Sequence, residues 1–546
     1  MGTEAIELPA AKPGSAGFWP WIALVLILLS VAAIRVRLLQ VPLERDEGEF
    51  AYMGQLMLEG IPPYLQAYNM KLPGIYAAYA LVMALFGQTI PGVHLGLLVA
   101  NATAILLLFV LTRRLFGPFA AVVAAATYAL LSLSPTVLGT SAHATQFIVP
   151  LVLGGVMLLL RSLDSGRRLY LFMSGLLFGL AYLTKQQAVF FILFAGIYFV
   201  WNQIRARPLN LKQLISRLAL LLVASTTPFV IACILLYRSG CFANFWFWTF
   251  SYASQYVSEV PLSDAAHNLA TMVVKVMGPA KWIWIIAGVG LTAVLWNRRA
   301  RAHWALLVGM TVSSFLCTCP GFYFRNHYFV LMLPAVAMLA GVAANALPRL
   351  FSKTKAYFLA CLLTSLLIAA SLLYPVYEFR EFFFQANPLR ASRIQYGLCP
   401  FPESLVIAEY LRRHTNRDDK IFIFGSEPQI CFYADRKSAT GYIYVYGLME
   451  IQDYAARMQS ELIQEVEKAS PRYVVVVNVD NSWTPRTNSD RTIFKWAESY
   501  FEKSYRIVGL VDMLSDGNYK AYWDDEARQR LPQSDTNVYV LERTNN

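Results

Sequence analysis

Charge is what this chain has least of: 15% of its 546 residues are charged and 57% are hydrophobic, where soluble domains carry about 25% charged residues. That excludes soluble, fibrous and disordered classes and leaves an integral membrane protein. Cysteine is sparse as well, seven in all at 233, 241, 317, 319, 361, 399 and 431, and the odd number without CxxC spacing excludes a disulfide framework and a zinc site. A nucleotide-binding signature is missing: Gly425-Ser-Glu-Pro428 reads as a turn, which argues against a nucleotide-sugar donor taken from the cytoplasm. No basic recognition module speaks for nucleic acid, and no repeat or low-complexity tract is present.

The charges that exist are unevenly placed. Residues 1–376 hold 25 Lys and Arg against 10 Asp and Glu, whereas 377–546 hold 21 against 24. This divides the chain into a cytoplasmic tail (1–17), a membrane domain (18–376) and an extracytoplasmic domain (377–546). Eleven spans are expected, at about 18–41, 91–112, 118–138, 147–161, 169–184, 187–203, 214–237, 281–297, 304–320, 328–347 and 356–376. Basic clusters at Arg113/Arg114, Arg167/Arg168, Arg205/Arg207/Lys212, Arg298/Arg299/Arg301 and Arg349/Lys353/Lys355 then share one side, which the positive-inside rule makes cytoplasmic. Arg35 and Arg37 break the rule, as snorkelling or functional residues. The N-terminus falls inside, in a plasma or bacterial inner membrane, and the first outer loop (42–90), the long outer loop (239–280) and the tail fall outside. The 14-residue apolar stretch 73–86 reaches only about 21 Å and is expected to lie along the interface. The tail alternates helices (403–414, 450–468, 492–503) with strands (420–424, 472–478, 505–511, 537–541), a small α/β domain.

Five of the ten carboxylates of residues 1–376, Glu44, Asp46, Glu47, Glu49 and Glu59, crowd directly behind the first span. Such a cluster at membrane depth marks a functional site, although Asp46 capping a helix with Glu49 in a capping box accounts for part of it. Asp46, backed by Glu47, can act as a general base toward an acceptor hydroxyl. Lys71, just ahead of Pro73 at a helix start, suits phosphate.

The segments DEGEFAY at 46–52, KLPG at 71–74, Leu183-Thr-Lys185 and NHYFVLMLP at 326–334 together resemble the GT-C fold glycosyltransferases, in the branch of the protein O-mannosyltransferases and the lipid A aminoarabinose transferases. The resemblance implies an all-α polytopic GT-C domain with an appended α/β domain. It also implies transfer of a sugar from a polyprenyl-phosphate donor to a glycan, lipid or protein acceptor, with inversion, and the aspartate of the first outer loop, here Asp46, as base. Positive charge at the departing phosphate would come from Lys71, Arg325 and Lys185. No cofactor and no catalytic metal are expected.

One departure stands out: relatives often carry a second acid in the outer loop after the third span, but 139–146 has neither Asp nor Glu. His143 and Gln146 are the candidates to contact substrate there, with His327 and Tyr328 beside Arg325; each also reads as a structural or interfacial residue. The aromatic run 245–252 is an interface anchor or an amphipathic lid. The rival readings are a lipid-linked-sugar flippase, which should place ionisable residues at the midplane of broken helices, and a glycan polymerase or ligase.

Overall fold

The computed structural model describes residues 17–206 and 208–544, so the expected cytoplasmic tail up to residue 16, and Arg207, lie outside the described residues. The chain begins with α1 (Trp19–Arg37), α2 (Arg45–Leu58), α3 (Pro73–Phe86), α4 (Ile90–Phe116), α5 (Pro118–Leu131), α6 (Ala144–Ser165), α7 (Arg168–Thr184), α8 (Val189–Arg205) and α9 (Leu211–Arg238). A helix stands at each of the eleven expected spans. Eight helical stretches among the described residues are long and apolar enough to cross a membrane; Pro118–Leu131, Arg168–Thr184 and Trp304–Leu316 are shorter, as is α3. The stretch 326–351 is the innermost, 83% buried, whereas Tyr357–Glu378 is 17% buried and turns Leu and Phe side chains outward, as a lipid-facing helix must.

The region 239–280, expected as a long outer loop, is helical through most of its length: Phe242–Trp246, a wider turn at Phe247–Tyr252, then Ala253–Ser258 and Leu262–Met277, which runs on into Lys281–Trp296. Its aromatic run faces inward, with Phe245, Trp248 and Tyr252 buried beside Tyr64 and Tyr442, and Tyr252 donates to Glu450 of the C-terminal domain at 2.6 Å. The cap of α2 also differs. Glu44, not Asp46, is the N-cap, and Glu47 rather than Glu49 completes the capping box, which leaves Asp46 free of capping duty.

The two arginines that broke the charge rule are bonded inside the protein. Arg35 donates to the carbonyls of Ser132 and Gly139, both at 3.1 Å, and Arg37 to those of Phe382, Phe383 and Ala386 at 2.5–2.8 Å. They satisfy carbonyls where helices end, so neither snorkelling nor catalysis is needed to explain them.

The C-terminal domain carries a six-stranded sheet of β1 (Lys420–Phe424), β2 (Lys437–Ser438), β3 (Tyr473–Asn478), β4 (Tyr505–Met513), β5 (Tyr519–Trp523) and β6 (Asn537–Arg543), in the order β2-β1-β3-β6-β4-β5. β1 is parallel to β2 and β3, and β6 runs antiparallel between β3 and β4, with Ile423 opposite Val475 and Val475 opposite Val540. The unbroken valine run of β3 suits a strand covered on both faces; β2, only two residues long, and β5, of intermediate burial, complete the edges.

What positions the site is α2, which belongs to both halves. Phe50, Tyr52 and Met53 share one apolar core with Ile421, Phe422 and Val475 of the sheet. A Cβ on Gly48 would lie 2.6 Å from that of Gln429, so only glycine lets α2 seat directly on helix Gln429–Ala434. Arg45 pins the joint: it donates to the Ser426 carbonyl at 2.7 Å, to the Tyr446 hydroxyl at 2.6 Å and to Glu427, which is fully buried, at 2.6 Å. Truncating one partner of a buried ion pair costs about 3–5 kcal/mol. Arg45→Met is therefore expected to lower the unfolding temperature of the purified protein markedly; an unchanged melt would show that the Glu427 pair does not hold the two halves together.

Candidate active site

The site is built where the start of α2, the segment before α3, the loop before α6 and the C-terminal domain meet. Asp46 occupies the first turn of α2 and keeps 18% of its side chain exposed. Its Oδ1 accepts from Lys71 Nζ at 2.9 Å and from the Tyr444 hydroxyl at 3.2 Å, and its Oδ2 lies 3.7 Å from His143 Nδ1. Lys71 is shared: its ammonium also donates to Glu49 at 2.6 Å and sits over the rings of Phe50 and Tyr444. Glu49 is fully buried and receives Tyr76 and Asn69 as well.

These contacts set the charges. Burial pushes the Asp46 carboxyl up, but the Lys71 ammonium and the His143 and His327 rings outweigh it and hold the group well below the usual carboxylate range. Glu49 and Glu44 go the other way: burial raises each to about 7, against the lowering pull of Lys71 on the first and His143 on the second. Burial alone would depress Lys71, yet Asp46 and Glu49 raise it above the ordinary lysine value. His143 is likewise raised, the carboxylates of Glu44 and Asp46 overcoming its burial. Near neutral pH Asp46 is thus an anion, matched by the Lys71 cation.

The remaining expected residues divide. His143 stacks on His327, ring centroids 4.1 Å apart, and His327 meets Tyr328 edge-on at 4.8 Å. Lys185 ends α7 with its ammonium 4.2 Å above the Tyr328 ring. It is brought near Lys71 because Gly74 lets α3 touch α7: a Cβ there would fall 2.4 Å from the Leu183 carbonyl. Arg325 lies over Tyr323 at 5.0 Å, and among the described residues neither it nor Lys185 has a carboxylate within ion-pair distance. Glu47, expected as a second catalytic carboxylate, is 1% exposed and occupied: it accepts from the Ala142 amide at 2.6 Å, from the Glu44 amide at 3.2 Å, and contacts His94 at 3.2 Å. It fastens the loop 139–146 to α2. Gln146 is also buried, its amide donating to the Gly139 carbonyl at 3.4 Å. Sequence reasoning missed Tyr444 and the pairing of Glu49 with Lys71; the alternating tyrosines at 442, 444 and 446 were the available signal.

Ligand atoms of Asp46, His143 and His327 lie within 4.8 Å of one another, a spacing that a metal ion could bridge. The Lys71 ammonium already neutralises Asp46 from the other side, which weakens the site's attraction for a second cation. An apolar cavity of about 590 Å³ runs between the far end of α2, α3, α7 and α9, lined by Ile61, Pro73, Leu180, Leu183, Ile231 and Leu235 among others. Its Leu183 wall is two residues from Lys185.

A sequence profile of the dolichyl-phosphate-mannose-protein mannosyltransferase family matches residues 71–232. The solved structure of ArnT from Cupriavidus metallidurans bound to undecaprenyl phosphate superposes with a TM-score of 0.60 at 16% identity, covering 96% of this chain and 98% of that one. The chain has the GT-C fold. The same fold relates it to the oligosaccharyltransferase of Archaeoglobus fulgidus. The form tethered to an acceptor peptide matches with a TM-score of 0.55 at 14% identity, covering 94% of this chain and 74% of that one. AglB with an inhibitory peptide and a dolichol-phosphate gives 0.53 at 13%, covering 94% and 75%. No curated protein sequence matches. The GT-C resemblance read from 46–52, 71–74, 183–185 and 326–334 agrees with these findings.

Because Lys71 is the cation that holds Asp46 down, Lys71→Met should raise the Asp46 pKa. Infrared titration of the carboxylate bands, with Asp46→Asn as the reference, reads the shift; an unmoved titration would show that Lys71 does not set the charge of Asp46.

Proposed function

We propose that this chain is a membrane glycosyltransferase that moves a sugar from a polyprenyl-phosphate donor to an acceptor on the extracytoplasmic face, with Asp46 as general base. The observation that carries the reading is an ionised, partly exposed carboxylate held by Lys71 and Tyr444, together with an apolar cavity whose Pro73 and Leu183 walls stand two residues along the chain from Lys71 and Lys185. The cavity suits a polyprenyl chain, and Lys185, two residues beyond its Leu183 wall, suits a phosphate together with Arg325. The profile match and the ArnT and AglB likenesses support the same donor class.

In this mechanism the acceptor hydroxyl approaches Asp46 Oδ2, since Oδ1 is held by Lys71 and Tyr444. The acceptor oxygen forms its bond to the anomeric carbon as the bond to the phosphate oxygen breaks, the proton passes to Asp46, and the polyprenyl phosphate leaves. One displacement inverts the anomeric centre. A base with a depressed pKa takes its proton late, when the acceptor oxygen has become strongly acidic by bonding to carbon. Lys71, already shared by two carboxylates, orients the base, while Lys185 and Arg325, free of such partners, take the leaving phosphate. Glu47 and Gln146 support the loop that carries His143, and His143 with His327 walls the acceptor side. The N-terminus is cytoplasmic and the C-terminal domain extracytoplasmic, as the basic loops require.

Transfer of label from a panel of polyprenyl-phosphate sugars, with lipid, glycan and protein products separated, tests this directly. Asp46→Asn should reduce transfer by about 10²–10⁴-fold without loss of folded protein; equal transfer would remove Asp46 as base, and donor crossing the bilayer without any transfer would favour the flippase. Lys185→Ala and Arg325→Ala should weaken donor binding, seen as a raised KM; an unchanged KM in both would move the phosphate elsewhere. Transfer should persist in EDTA, whereas loss that a divalent cation restores would put an ion on Asp46, His143 and His327.

A further inference from the structure

The C-terminal domain has a second cleft that this mechanism does not use. It opens at the carboxyl ends of the parallel strands β1 and β3, where β6 enters from the opposite direction, and has a volume of about 580 Å³. In open α/β sheets ligands are received at the carboxyl ends of the strands where the strand order reverses, here between β1 and β3. Phe424, Trp483 and Phe494 form an aromatic wall, with Trp483 between the other two at centroid distances of 4.5 and 4.6 Å. The Trp483 ring is locked, its indole N–H donating to the Val477 carbonyl at 3.1 Å.

The rest of the lining is unlike a protein or lipid seat. Asp480 and Asp535 are exposed, and among the described residues their carboxylates have no hydrogen-bond or ion-pair partner. Asn478 spends its amide N–H on Asn537 and keeps its oxygen. The cleft therefore offers rigid aromatic surface beside a rim of acceptors, and no Lys, Arg or His lines it. A sugar ring presents the complement: an apolar C–H face for the aromatics and hydroxyl donors around its edge. Two uncompensated carboxylates repel phosphorylated or acidic glycans.

The geometry points to a carbohydrate-binding site in this cleft, specific for a neutral or amino-bearing sugar unit. The cleft is wired to Asp46. The carbonyl of Asn481, in its wall, accepts from the Tyr446 hydroxyl at 2.5 Å; that hydroxyl also receives Arg45, and the Tyr446 ring meets Tyr444, which bonds Asp46. A sugar held here is a distal unit of an acceptor glycan whose reacting end reaches Asp46, a role that rests on the transferase reading, while the binding itself does not.

The test uses the full chain in lipid nanodiscs against an array of neutral, amino-bearing and acidic oligosaccharides. Wild type is expected to retain neutral or amino-bearing glycans. The double variant Asp480→Ala/Asp535→Ala, altered only at exposed positions and checked by its melting temperature, should retain them at least about tenfold less. Absence of any retained glycan, equal retention by the double variant, a preference for acidic glycans, or retention that appears only with added divalent cation would each overturn the inference. Glycan retention without sugar transfer by wild type would sink the transferase reading alone.

Discussion

Everything at this site depends on one helix being shared by two environments. α2 is the first structure after the first span, and its opening turn is bonded to the C-terminal domain through Arg45, Glu427 and Ser426. Gly48 removes the one side chain that would hold the surfaces apart. The consequence is positional: Asp46, one residue beyond Arg45, cannot shift without breaking a buried ion pair. A carboxylate held this way needs little reorganisation to receive a proton.

The charge pattern follows from that confinement. Four carboxylates within six residues would repel one another if all were ionised in a partly dehydrated place. The structure separates them by giving each a different partner: Glu44 and Glu47 close a helix cap, Glu49 is buried with Lys71, Tyr76 and Asn69, and Asp46 receives Lys71 and Tyr444. Of these, Asp46 is the member that stays partly exposed and whose carboxyl is held well below the usual carboxylate range. Lys71 performs this sorting because its ammonium donates to both Asp46 and Glu49.

Much of the architecture was legible because it rests on local rules. Apolar runs mark the spans, the valine run marks β3, and a proline at its first position marks the start of α3. The helical character of 239–280 was not legible, because its aromatic residues look the same whether they face lipid or a protein core. The edge strands β2 and β5 were missed for a related reason, since two residues of pairing or a strand of intermediate burial leave little pattern. The cap of α2 was misplaced by two residues because Asp and Glu can both serve, and only the backbone decides which one stands at the turn.

The sequence by itself determined that the protein has a polytopic helical membrane part with a small α/β domain behind it, and that acidic residues concentrate at 44–59. Composition and periodicity report burial and solvent directly, which is why they suffice for that much. The tertiary structure alone decided that Asp46 rather than Glu47 stays open, that Lys71 serves two carboxylates, and that Tyr444, 398 residues later in the chain, completes the contact. Those are matters of distance between segments remote in sequence, and the strength of a charge or a hydrogen bond depends on that distance and on the water excluded around it.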